Sequence, residues 1–148
     1  APTGVAALNI GGSTINSAFR IGFDTFPVIQ ESNDPRFKKL LKKLELLIID
    51  EISMVRAPML DALSDSLKVH RNSAKPFGGI HVLACGDLFQ LPPVVKDHEI
   101  NAIDEKYESV YFFSSKSYKE IESPSFFELT YSFRQSDDEN FYSLLNLM

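Results

Sequence analysis

Residues 46–53 read LLIIDEIS: four apolar side chains run directly into two adjacent carboxylates, Asp50 and Glu51. A short, unbroken apolar run predicts a strand of a mostly parallel sheet, covered on both faces. The two charges mark the point where such a strand leaves the interior. The pattern recurs at residues 80–87, where IHVLAC runs into Gly86 and Asp87. Further strands are predicted at 126–130 (FFELT) and, on a weaker pattern, at 110–113 (VYFF).

Helical signals fall between these runs. Asp34 and Pro35 supply a cap and a first-turn proline, and Phe37, Leu40, Leu41 and Leu44 follow the spacing of one helix face. Pro58 suits the opening turn of a second helix with Leu60, Leu63 and Leu67 on its inner stripe. KPFGG, residues 75–79, reads as a turn before the 80–85 strand. Ser136 and Glu139 form a capping-box pattern, followed by Phe141, Leu144, Leu145 and Met148 on one helix face. Strands separated by helices predict an α/β fold with helices on both sides of the sheet. In that architecture reactive groups collect at the carboxyl ends of the strands.

The 148 residues suit a single domain, and 44% hydrophobic with 24% charged residues is a globular balance. No apolar run approaches the roughly 20 residues that cross a bilayer, so no membrane association is expected. One cysteine, Cys85, allows no internal disulfide and suits a reducing intracellular compartment. The net charge of −5 confines any nucleic-acid contact to local positive patches. The lysines of RFKKLLKKL, residues 36–44, read as a solvated helix face. The three histidines and Cys85 show no metal-ligand spacing.

Four stretches carry candidate chemistry. At the first strand exit, one carboxylate of the Asp50–Glu51 pair can hold Mg²⁺ and the other can orient an attacking water. An apolar strand ending in Asp-Glu is the Walker B arrangement of nucleotide hydrolysis. At the second exit, GDLFQLPPVV places Gln90 where an amide can meet a phosphate oxygen and a water, with Pro92 and Pro93 stiffening the segment beyond. In ELTYSFRQ, residues 128–135, Arg134 can neutralise charge on a transferring phosphoryl group or simply pair with Asp137 or Asp138. The opening APTGVAALNIGGSTINSAFRIG is rich in glycine and hydroxyls, which serve phosphate contacts and tight turns alike.

Taken in order, APTGVAALNIGGSTINSAFRIG, LLIIDEISMV, GDLFQLPPV and LTYSFRQ resemble the first motor lobe of the PIF-type helicases, 5′-to-3′ DNA helicases of superfamily 1B related to RecD. The resemblance implies a three-layer, RecA-like P-loop fold and a chain that is one partial lobe over residues 1–148. It implies that Asp50 coordinates Mg²⁺, Glu51 activates the hydrolytic water, Gln90 senses the γ-phosphate of ATP and Arg134 touches it at the junction with a second lobe. It assigns Thr3, Gly4, Thr14, Asn16 and Ser17 to the backbone of single-stranded DNA, and places Pro92 and Pro93 beside that strand. Duplex junctions are the implied further partner. Where the family usually reads Thr-Ile-His-Ser-Phe this chain reads Thr14-Ile15-Asn16-Ser17-Ala18, so a base-stacking ring is lost unless Phe19 supplies it. The compartment implied is the cytoplasm of a bacterium, or the nucleus or mitochondrion of a eukaryote. Family members serve DNA repair and telomere maintenance.

No G-x-x-x-x-G-K-[ST] phosphate loop occurs in the sequence. The resemblance places that loop, with the first strand and its helix, upstream of Ala1. The chain by itself is therefore expected not to hydrolyse ATP, and its incomplete sheet is expected to favour self-association. Two rival readings are a P-loop translocase without unwinding activity and a degenerate lobe kept as a DNA-binding or protein-docking module.

Overall fold

The structure, a computed structural model, describes residues 1–130. Its centre is a β-α-β unit. Strand β1 (Leu46–Ile49) pairs in parallel with β2 (His81–Ala84), Leu46 opposite His81 and Ile49 opposite Ala84. The crossover between them contains helix α4 (Ala57–Arg71). Upstream lie α1 (Gly4–Asn9), α2 (Ile15–Phe19) and α3 (Pro35–Lys43); downstream lie α5 (Asp97–Asp104) and α6 (Lys116–Lys119).

Helix α4 organises the core. Leu60, Leu63 and Leu67, the stripe read from the sequence, are buried. Complete burial of Leu63 and Leu67 stabilises by about 1.5–3 kcal/mol each. They pack with Ile49 of β1, Phe37 and Leu41 of α3, Ile15 and Phe19 of α2, and Phe77. Asp34 caps α3 as predicted, accepting from the backbone N–H groups of Arg36 and Phe37 at 2.8 and 3.3 Å. Arg20 closes α2, pairs with Asp34 at 2.6 Å and lies over the Phe37 ring. At the other end of α3, Arg71 of α4 donates through Nη1 to the carbonyls of Leu41, Lys42 and Leu44, and through Nε to Gly78. One guanidinium thus fixes the end of α3 to the turn that launches β2. Gly78 sits at φ 63°, and a Cβ there would lie 2.8 Å from the Leu67 carbonyl, so the KPFGG turn needs glycine at that position.

Several elements depart from the sequence reading. Leu40 is 60% exposed, because α3 turns Phe37 and Leu41 inward and leaves Leu40 at the rim. Residues 126–130 form no strand, and Phe126, Phe127 and Leu129 are exposed. Strand-forming residues become a strand only beside a hydrogen-bonding neighbour, and among the described residues β1 and β2 pair only with each other. The 110–113 segment makes a single antiparallel bridge between Tyr111 and Arg56, then winds into a 3₁₀ turn over Phe112–Ser114. There Phe112 packs edge-on against Tyr118, which draws the chain away from an extended path. The sheet is covered on one face among the described residues. Leu47, Ile49 and Val82 meet the core, while Leu46, Ile48 and Leu83 on the opposite face are about half exposed. The capping box at Ser136 and the helix face from Phe141 to Met148 lie outside the described residues.

Candidate functional site

The parallel pairing continues beyond both strands. The Cys85 N–H donates to the Ile49 carbonyl and the Ile52 N–H donates to the Cys85 carbonyl, each at 2.9 Å. These bonds hold the two strand exits side by side and bring Asp50–Glu51 next to Gly86–Asp87. Gly86 is required by this approach: a Cβ there would meet Ile52 Cγ2 at 2.9 Å and the Ser53 nitrogen at 3.0 Å. Asp50 and Glu51 are half-buried, and Glu51 holds a left-handed backbone at φ 55°, ψ 44°. The chain then enters a 3₁₀ turn, Ile52–Met54, anchored by the buried Ile52, Ser53 and Val55. Two carboxylates therefore stand on a rigid base at the carboxyl edge of the sheet, where a polar ligand can reach them.

At the second exit Asp87 folds the loop onto itself. Its Oδ1 accepts from the Phe89 N–H and its Oδ2 accepts from Gln90 Nε2, both at 2.9 Å. The Gln90 amide and then the Phe89 N–H hold the Asp87 carboxyl below its usual range. The Gln90 amide gives one Nε2 proton to Asp87 and keeps its second N–H and its Oε1. Pro92 is exposed and Pro93 is buried. Arg134 lies outside the described residues.

The N-terminal segment approaches the same edge. The Ala1 nitrogen lies close enough to the Asp50 carboxylate for the two to interact electrostatically. The Ala1 carbonyl accepts from the Ile15 N–H at 3.0 Å, which joins the starts of α1 and α2. Thr3 and Thr14 are the caps of those helices, accepting from the Ala6 and Ser17 N–H groups at 3.2 Å each. Gly4 and Ser17 are exposed. Asn16 donates from Nδ2 to the carbonyls of Ile21 and Gly22 at 3.1 and 3.0 Å, so its amide nitrogen is committed to the turn after α2. Phe19 is 7% exposed, packed in the core, and cannot replace the missing ring at Ala18. Phe89 and Phe23, at 99% and 84% exposure, are the accessible rings near these segments in sequence.

The structure adds a cluster that the sequence reading did not single out. Glu99 of α5, 6% exposed, accepts from Thr25 Oγ1 at 2.6 Å and from Arg56 Nη1 at 3.0 Å through Oε1, and from the Lys96 N–H at 3.0 Å through Oε2. The Thr25 hydroxyl, then the Lys96 N–H, hold its carboxyl down to about 2. Glu99 accepts from the Lys96 N–H as the glutamate of a capping box does, but no serine or threonine stands at the cap to signal it, and no spacing points to its long-range partners Thr25 and Arg56.

A family model described as PIF1-like helicase matches residues 1–144. The chain is 39% identical, over 98% of its length, to the human ATP-dependent DNA helicase PIF1, and 38% identical over 99% to that of Candida albicans. It covers 22% and 17% of those proteins, so it spans about a fifth of the length of the curated relatives it matches. Among solved structures, it is similar to a Bacteroides Pif1 helicase in complex with ADP-AlF3 and single-stranded DNA, at a TM-score of 0.89 and 42% identity, over 98% of this chain and 34% of that one. A Candida albicans Pif1 helicase crystal structure matches at a TM-score of 0.78 and 35% identity, over 98% of this chain and 32% of that one.

Proposed function

The chain belongs to the PIF1-like helicase family, and from that premise we propose that residues 1–148 form part of a RecA-like motor lobe that couples ATP hydrolysis to 5′-to-3′ movement on single-stranded DNA and to duplex unwinding. The observation that carries this reading is the pair of strand exits locked side by side, Asp50–Glu51 against Gly86–Gln90.

Asp50 offers a hard oxygen at a half-buried strand end, and one or two carboxylates together with substrate phosphates and water are what Mg²⁺ accepts. The donor set fits the ion. When bound, Mg²⁺ supplies positive charge against the phosphates. Glu51 orients the attacking water and accepts its proton. Gln90 exchanges Asp87 for the terminal phosphate, and its release from that hydrogen bond signals that the phosphate is present. Arg134 neutralises charge on the transferring group at the boundary with a second lobe.

For DNA, the capped starts of α1 and α2 present Thr3, Gly4, Thr14 and Ser17, together with the backbone N–H of Asn16, to the phosphate backbone of a single strand. The cap geometry leaves each threonine hydroxyl its proton to donate. Pro92 and Pro93 border that strand. The half-exposed Leu46–Ile48–Leu83 face is the surface through which this chain alone would self-associate.

The test is ATP turnover by a full-length protein carrying this chain, with and without single-stranded DNA. The Glu51→Gln variant is expected to lose about 10²–10⁴-fold in turnover and to keep nucleotide affinity. Wild-type turnover in that variant would reject the assignment of Glu51. A parent protein that binds DNA without hydrolysing ATP would favour the docking-module reading.

A further inference from the structure

The Glu99 carboxylate gathers donors from three segments, and each is joined by a short stretch of chain to a different part of the candidate site. Thr25 follows α2, whose exit is fixed by the Asn16 amide on the Ile21 and Gly22 carbonyls and by the buried Ile21. Arg56 follows Glu51 through the short 3₁₀ turn anchored by Ile52, Ser53 and Val55. Lys96 follows Gln90 through the Pro92–Pro93 pair, of which Pro93 is buried. Chain segments leading from α2, from the Asp50–Glu51 exit and from the Gln90 loop therefore meet at one side chain.

Stability alone is a weak reason for such a node. The Arg56 and Glu99 side chains are 14% and 7% exposed, and an ion pair this buried gains little over apolar packing because both charges must be desolvated. The hydrogen bonds of Glu99 tie Thr25, Arg56 and Lys96 to one another through a single carboxylate.

We propose that Glu99 is a positioning residue that links the single-stranded DNA contacts to the hydrolytic site, with Thr25 and Arg56 as its two long-range arms. DNA seated on α2 shifts the 22–25 segment, Glu99 passes that shift to Arg56 and to the loop carrying Gln90, and hydrolysis responds. This rests on the function proposed above.

The experiment compares DNA-stimulated with basal ATP turnover in a full-length protein carrying this chain, for wild type, Thr25→Val, Arg56→Gln and Glu99→Gln, with melting temperature measured on each. Glu99→Gln and Arg56→Gln are expected to cut the stimulation by about tenfold while basal turnover stays within about twofold, and Thr25→Val to cut it by about threefold. The Glu99→Gln/Arg56→Gln double variant is expected to be no worse than either single one. Thr25→Val removes one hydroxyl and keeps the ion pair, so it decides the matter if the charge variants do not fold. An unchanged stimulation ratio in folded variants, or a parallel fall of basal and stimulated turnover, would overturn the proposal and leave the function intact. A wild-type protein whose turnover ignores DNA would overturn both.

Discussion

Glu51 combines two demands at a single position. Its side chain belongs to the candidate hydrolytic pair, while its backbone occupies the left-handed region, which costs an L-residue roughly 1–2 kcal/mol. Glu51→Gly is expected to raise stability by about 1 kcal/mol over Glu51→Gln in denaturant titrations, with both variants equally deficient in hydrolysis. Equal midpoints for the two would mean that the turn carries no strain. The carboxylate pair was readable from its place behind four apolar residues. The left-handed turn was not, because Glu-Ile-Ser carries no glycine or asparagine to signal it. Phe19 shows the opposite case: an aromatic beside Thr14–Ala18 reads as available for stacking, but it packs in the core with Phe37, Leu41 and Leu63.

At the scale of elements, single side chains tie neighbours together. Arg71 supplies four hydrogen bonds to carbonyls at the end of α3 and in the turn before β2. Arg71→Ala is expected to cost about 2–4 kcal/mol, since charged donors are worth about 1.5–3 kcal/mol each and the loss leaves carbonyls unpaired. Arg71→Lys should recover little of this, because an ammonium lacks the planar fork. A near-neutral Arg71→Ala in chemical unfolding would refute the assignment.

Glu99 makes a pH prediction. Its carboxyl is lowered from 4.5 to about 2 on folding, so its contribution is complete above the unfolded value and is lost as pH falls through the folded one. Stability of the wild-type chain should decline between about pH 5 and pH 2 by more than that of Glu99→Gln. Parallel declines would show that Glu99 titrates alike in both states. Helix α3 was legible from its aspartate cap and first-turn proline, though Leu40 of its apolar spacing is exposed, and α4 from Pro58 and its leucine stripe. No strand forms at 126–130, because local propensity does not reveal whether an edge is available. The segment at 110–113 winds up because its rings pack on Tyr118 and on one another.

For the molecule as a whole, the order of motifs was the most informative property of the sequence. It identified the family and the two strand exits; it did not reveal that Gln90 rests on Asp87 or that three segments converge on Glu99. Those are contacts between distant side chains, and no spacing rule encodes them. The most direct measurement of the central claim is a crystal structure of a full-length protein carrying this chain, bound to Mg²⁺, ADP–aluminium fluoride and single-stranded DNA. Asp50, Glu51 and Gln90 are expected to converge on one phosphate site, with Gln90 Nε2 released from Asp87 and within about 3.5 Å of the phosphate mimic. Gln90 still bound to Asp87, with the nucleotide seated away from the Asp50–Glu51 exit, would contradict it.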